Sequence, residues 1–199
     1  MSQQVNQQVI DTKTNEEKDV VVMTAPVTTS TFVMLSEPAY DFIESKVRET
    51  FKNACIVWIE RVSNPTLEDA FEEYRKKVQP SNVRTLFHGT SEDVARIILA
   101  EGFDPSKCKV CAHGLGIYFS TRAEYSKTYC WRKNGQDYAF MIVADVVTGK
   151  TGQGHAYKPI PPEYDSVTDN INKPDMYIIN KREAALPRYL VAFYPDMVQ

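Results

Sequence analysis

The sequence is short of cysteine, of net charge and of long apolar runs. Four cysteines occur among 199 residues, Cys55, Cys108, Cys111 and Cys130. The N-terminal stretch MSQQVNQQVIDTKTNEEKD has no apolar h-region, so no secretory signal is expected and the thiols read as free in a reducing, intracellular compartment. No apolar run approaches the length of a membrane span, so no membrane partner is expected. Lys and Arg number 23 against 26 Asp and Glu, a formal charge of -3, with an isoelectric point near 5.7. That balance supplies no global basic field, so nucleic acid is not indicated as a partner, although a local basic face stays open. There is no internal repeat. No G-x-G-x-x-G follows a strand, and HGLGIY does not fit that fingerprint, which argues against a Rossmann dinucleotide-binding domain.

The length suits one domain with a tail. Residues 1–30 are polar and lack helical or sustained strand period, so they read as a weakly ordered tail, with VVVM at 20–23 a candidate edge strand. Residues 31–199 form the expected domain. In EPAYDFIESKVRETF the residues Tyr40, Ile43, Val47 and Phe51 recur at helical spacing. IVWIERV (56–62) reads as a strand, and Asn64-Pro65 opens a second helix with Leu67, Phe71, Tyr74 and Val78 inside. Thr85-Leu86-Phe87 is a short strand, followed by a helix capped at Thr90 or Ser91 with Val94, Ile97 and Ile98 as its inner stripe and Gly102 at its end. GIYFS (116–120) reads as a strand edge, AEYSKTYC (123–130) as helical, and DYAFMIVADVV (137–147), MYII (176–179) and YLVAF (189–193) as strands. Residues 148–173 read as a long loop, of the kind more often functional than idle. Helices first and strands afterwards predict an α+β domain with a largely antiparallel sheet.

The residues that suggest chemistry are His88-Gly89-Thr90, then Gly114-Leu115-Gly116-Ile117-Tyr118-Phe119-Ser120, then Tyr125-Ser126 and Tyr129. Glycine permits close approach of a ligand to the backbone. Tyrosine offers a flat face with a polar tip, and histidine offers a donor and an acceptor. Together they suit a planar, amide-bearing, cationic ring such as nicotinamide in NAD+, whose carboxamide matches one backbone N–H and one C=O and whose charge favours aromatic faces.

The ordered series LFHGT, GxGIYFS, YSxxY, YDSVTDN, MYII and ALPRYLVAF resembles the catalytic domain of the poly(ADP-ribose) polymerase superfamily, the diphtheria-toxin-like ADP-ribosyltransferases, over roughly residues 38–195. IERVSNPTLEDAFEEYRKKV resembles the start of that domain in mono-ADP-ribosylating members. The resemblance implies a split, mostly antiparallel sheet with flanking helices, and NAD+ as co-substrate. It implies that His88 and Tyr118 are two members of the family's His-Tyr-Glu triad. Gly89, Thr90, Phe119, Ser126 and Tyr129 would complete the NAD+ site, and a donor loop would run over about 104–114. The triad's glutamate falls on Met176. Methionine has no charge and cannot act as a general base, so chain elongation is expected to fail and one ADP-ribose to be transferred to a protein side chain, Glu or Asp. Glu183 lies after the strand and is not given that role. The alternative is a catalytically silent NAD+-binding or interaction module. The protein is expected to be a cytoplasmic or nuclear monomer. Cys108-x-x-Cys111-x-His113, with Cys130, has partial zinc spacing, but zinc is not expected.

Overall fold

The computed structural model describes residues 28–108, 111–133 and 135–195. Its strands are β1 (Thr29–Phe32), β2 (Cys55–Ser63), β3 (Val83–Thr90), β4 (Ile117–Ser120), β5 (Ala139–Val147), β6 (Thr151–Gln153), β7 (Ser166–Thr168), β8 (Met176–Ile179) and β9 (Ala185–Tyr194). Its helices are α1 (Pro38–Arg48), α2 (Pro65–Lys77), α3 (Glu92–Glu101) and α4 (Ala123–Lys127). The strands make one sheet in the order β1-β2-β9-β5-β3-β4-β8-β7-β6. All its pairings are antiparallel except β6 with β7, which is the α+β architecture expected. Among the described residues no helix is long and apolar enough to cross a membrane.

β9 and β5 lie inside the sheet, third and fourth in its order, and both faces of their chain are apolar. Every residue of β5 is buried except Asp145, which is half-buried. One face carries Leu86, Phe119, Ile142 and Leu190 against α2 and α3, with Phe71, Tyr74, Ile98 and Leu99 as the helix contribution. The opposite face carries Phe87, Met141, Val143 and Val191 against α1, through Tyr40, Ile43 and Val47. The alternation of Leu86 and Phe87 between the two cores is the two-residue period of a strand.

The feature that positions the site is a division within the sheet. β3 is in register with β5 over its whole length, from Val83↔Val147 to Thr90↔Phe140. It meets β4 at one rung only, Phe87↔Ser120. The block of β4, β8, β7 and β6 therefore hangs from the rest of the sheet at that rung, and on either side of it the β3 backbone groups turned away from β5 have no strand to bond among the described residues.

Several sequence expectations need correction. β3 is longer than Thr85-Leu86-Phe87, so His88, Gly89 and Thr90 sit inside the strand and not at its junction with α3. The cap of α3 is Ser91, which accepts from the Val94 N–H at 3.5 Å, while Thr90 pairs with Phe140. The inner stripe of α3 is Ala95, Ile98 and Leu99; Val94 and Ile97 are exposed. Both sets repeat at helical spacing one residue apart, and the small Ala95 lets that face approach the sheet. GIYFS is an interior strand, flanked by β3 and β8. The long loop 148–173 contains β6 and β7. β1 begins inside the stretch read as tail, with Thr29↔Ser63 and Ser30↔Val62 in register. VVVM at 20–23 lies outside the described residues.

Candidate functional site

Helix α4 seats directly on β3. The Ser126 hydroxyl donates to the Phe87 carbonyl at 3.2 Å, and a Cβ at Gly89 would overlap the Ser126 carbonyl oxygen. Gly89 is thus required first by helix packing, not by a ligand. Gly116 is similar, because a side chain there would overlap the Ile179 carbonyl oxygen. The freedom that matters at Gly89 is that of its backbone. In an antiparallel strand, alternate residues turn both peptide groups to the same neighbour. The Phe87 carbonyl points to α4, so Gly89, two residues on, points its N–H and C=O the same way, into the gap past the β3–β4 rung. A donor and an acceptor side by side, with the Ser126 oxygen still able to accept, are what a primary carboxamide needs.

His88 faces the other side of β3. Its ring packs against Phe103 and Phe119, with centroids 5.3 Å and 5.6 Å away. Nδ1 lies 2.9 Å from the Tyr118 carbonyl oxygen. A carbonyl only accepts, so Nδ1 carries the proton and Nε2 is the acceptor of the neutral ring. Loss of hydration pushes the His88 pKa below 6.5, against the opposing pull of the Tyr118 bond. The ring is therefore neutral at physiological pH. Phe119 is 1% exposed. Its side chain backs His88 and can offer a ligand only its backbone.

The Tyr118 hydroxyl is already committed. It accepts the His113 N–H at 2.9 Å and donates to the Gly114 carbonyl at 2.8 Å. What Tyr118 can offer a ligand is its ring, fixed by that closed turn; burial pushes its phenol pKa up. Tyr129 is held similarly, its hydroxyl 2.9 Å from that of Tyr125. The Tyr125 phenol is pushed up to about 12, first by that hydrogen bond and by burial, then by the nearby Tyr129 and Asp169.

Met176 opens β8 and pairs with Ser120, two rungs along the same strand pair from Tyr118↔Ile178. Asp169 holds this end in place. Its Oδ1 accepts the N–H groups of Asp175 at 3.1 Å and Met176 at 3.0 Å, while the Thr168 hydroxyl donates to the Met176 carbonyl at 2.6 Å. Glu183 lies in a short 3-10 turn, Arg182–Ala184, that packs on α2, away from this rung.

The structure brings Gly89 to Ser126, His88 to Tyr118 and Tyr125 to Tyr129. Sequence reasoning counted Tyr125 among the chemistry-bearing residues without placing it in the NAD+ site, and assigned no role to Asp169. The signal for Tyr125 was its place four residues before Tyr129 on a helix. For Asp169 it was a carboxylate seven residues before Met176, which no local rule ties to that strand. Cys130 belongs to the α4 packing, 3.1 Å from where a Gly89 Cβ would stand, and burial pushes its thiol up to about 12. Among the described residues no group of three or more His, Cys, Asp or Glu could hold a metal.

Comparison with known proteins adds the following. The family model for the poly(ADP-ribose) polymerase catalytic domain matches residues 38–170. The chain is 29% identical over 177 residues to the protein mono-ADP-ribosyltransferase PARP14 of Homo sapiens, covering 79% of this chain and 10% of that protein. It is 34% identical over 152 residues to the protein mono-ADP-ribosyltransferase PARP10 of Mus musculus, covering 68% of this chain and 16% of that one. A probable poly(ADP-ribose) polymerase of Dictyostelium discoideum is 31% identical over 175 residues, covering 80% of this chain and 50% of its own length. The chain thus spans half or less of each of these relatives.

Proposed function

This chain belongs to the poly(ADP-ribose) polymerase catalytic-domain family, whose members use NAD+ as co-substrate, and from that premise we propose that it transfers single ADP-ribose units from NAD+ to carboxylate side chains of acceptor proteins. The observation that carries the reading is the residue at the start of β8. Met176, onto which the resemblance maps the glutamate of elongating members, stands on the Ser120 rung, and the neighbouring Asp169 is occupied with backbone N–H groups. Two relatives of about 30% identity bear the name mono-ADP-ribosyltransferase, which supports the same reading.

The roles follow from the groups left free. The Gly89 N–H and C=O, with the Ser126 oxygen as second acceptor, hold the nicotinamide carboxamide. The Tyr118 and Tyr129 rings stack on the pyridinium, and Nε2 of neutral His88 accepts from a ribose hydroxyl. Thr90 continues the strand edge beside it. Stacking on the cationic ring stabilises bound NAD+ but would not speed reaction by itself. The gain in rate comes from aligning the reacting atoms. An acceptor carboxylate oxygen attacks C1′ of the nicotinamide ribose. The C1′–N bond breaks, its electron pair returns to the pyridinium nitrogen, and neutral nicotinamide leaves through an oxocarbenium-like transition state. No proton has to be removed from an ionised carboxylate and none has to be given to the leaving group, so the reaction needs no base at position 176.

The test is labelled NAD+ with the protein and a gel resolving the size of the modification. A single increment, removed by hydroxylamine as expected of an ester, supports the reading. A ladder of lengthening polymer, or preferential labelling of serine, overturns it. Bound NAD+ without any label would favour a silent module instead.

A further inference from the structure

The transfer reaction gives Tyr125 no task. It lies on α4, four residues before Tyr129, the spacing that makes two side chains neighbours on one face of a helix. Ser126 and Cys130 repeat that spacing one residue on and form the row that packs against β3. The Ser126 hydroxyl donates to the Phe87 carbonyl at 3.2 Å, and a Cβ at Gly89 would meet both the Ser126 carbonyl and the Cys130 Sγ. The tyrosine row therefore runs beside the row that packs on the Gly89 backbone. The Tyr125 pKa is raised first by the Tyr129 hydrogen bond and by burial, and then by Tyr129, Asp169 and Tyr118, so the Tyr125 hydroxyl also lies within electrostatic reach of Tyr118.

Little besides Tyr125 fixes the Tyr129 side chain. α4 ends at Lys127, and Tyr129 follows in a tighter turn, closed by its N–H to the Ser126 carbonyl at 3.0 Å. Tyr129 is 37% exposed, so its ring can be reached from solvent. Among the described residues its hydroxyl has one partner, the Tyr125 hydroxyl at 2.9 Å. Its ring has one aromatic neighbour there, the Tyr125 ring, with centroids 5.5 Å apart and planes at 53°. A side chain with several open rotamers must be ordered when a flat ligand stacks on it, and that ordering weakens binding. A ring already tied at its tip avoids most of the cost.

We propose that Tyr125 is a positioning residue, whose hydroxyl holds the Tyr129 ring in the plane on which nicotinamide stacks and so sets the affinity for NAD+. The proposal rests on the transfer reading for the place of nicotinamide, but not on transfer itself. Either hydroxyl can be the donor of the bond, and removing either oxygen breaks it.

The experiment measures Kd by calorimetry for NAD+ and for benzamide, a neutral mimic of nicotinamide. It uses the wild-type protein, Tyr125→Phe, Tyr129→Phe and the double variant, all of which keep both rings. Each single variant should bind NAD+ about three- to tenfold more weakly, the value of one hydrogen bond. Benzamide should lose a similar factor, because a misplaced ring serves a neutral and a cationic ligand equally badly. The double variant should bind no more weakly than the single ones, since both remove the same bond. With turnover, the Tyr125→Phe loss should fall on KM for NAD+ more than on kcat. Wild-type affinity in Tyr125→Phe, with or without a lowered Tm, overturns the proposal, because Tyr125 would then be structural only. So do single losses that multiply in the double variant, or a loss for NAD+ that benzamide does not share. Wild-type protein that binds both ligands but transfers nothing refutes the transfer reading alone, and wild-type protein that binds neither refutes both.

Discussion

At the scale of the residue, the site depends on which polar atoms are already used. The Tyr118 hydroxyl and the His88 Nδ1 face backbone partners, which leaves a ring and one nitrogen for a ligand. This predicts a pH dependence. His88 is an acceptor only while neutral, and its pKa is lowered by burial. kcat/KM for NAD+ is therefore expected to hold as pH falls to the ordinary histidine range, about 6.5, and to drop only below it. Stability follows the same group with a definite sign. The unfolded chain takes up the proton first, so it binds more protons between 6.5 and the lower folded value, and stability falls as pH falls through that window. Thermal unfolding of His88→Gln beside wild type reads this: the variant should lose less Tm between pH 7 and pH 5. Equal losses would mean that another group titrates there. Of these features, His88, Gly89, Tyr118, Ser126 and Tyr129 could be named as candidates from the order of their motifs. The commitment of each hydroxyl was not, since it depends on atoms brought in from other elements.

At the scale of the element, the sequence pattern predicted most helices and strands because their apolar periods are clean, as in α1 and β5. It failed where two patterns compete. The stripes Val94-Ile97-Ile98 and Ala95-Ile98-Leu99 both fit a helix, and only docking on β5 and β9 selects the second. β6 and β7, three residues each, are too short to show a period. The same short elements make Asp169 important. Its carboxylate is buried in part, which by itself would raise its pKa, but the N–H groups of Met176 and Asp175 outweigh that and hold it below the usual carboxylate range. Asp169→Ala should cost about 2–3 kcal/mol in urea unfolding, the scale of losing hydrogen bonds to a charged group, and should lower transfer by loosening Met176. Asp169→Asn keeps a neutral acceptor and should cost less. The stabilisation is present above the unfolded aspartate pKa and is lost as pH falls through the lowered folded value. A variant as stable as wild type at pH 7 would remove Asp169 from this role.

At the scale of the whole molecule, one ion pair ties a helix layer to the sheet. Arg96 of α3 makes two contacts to Glu60 of β2, at 2.6 Å and 2.9 Å, and Glu60 is 4% exposed. Burial opposes the charge on Glu60, but the Arg96 pair outweighs it and holds the carboxyl below its usual range. Arg96→Ala would leave that carboxylate buried and unpaired. Removing one partner of a fully buried pair costs about 3–5 kcal/mol, and because Arg96 is itself partly exposed, about 2–3 kcal/mol is expected. Chemical denaturation checks it; a loss below 1 kcal/mol would show that Glu60 is protonated or hydrated instead. By themselves, the residues along the chain determined the fold class, the helix and strand types and the family, because local periodicity and ordered motifs are properties of neighbouring residues. Only the tertiary structure decided that β3 and β4 part after one rung and which α3 face is buried. Those depend on how distant segments compete for the same backbone groups and the same space, a competition that no local stretch of sequence records.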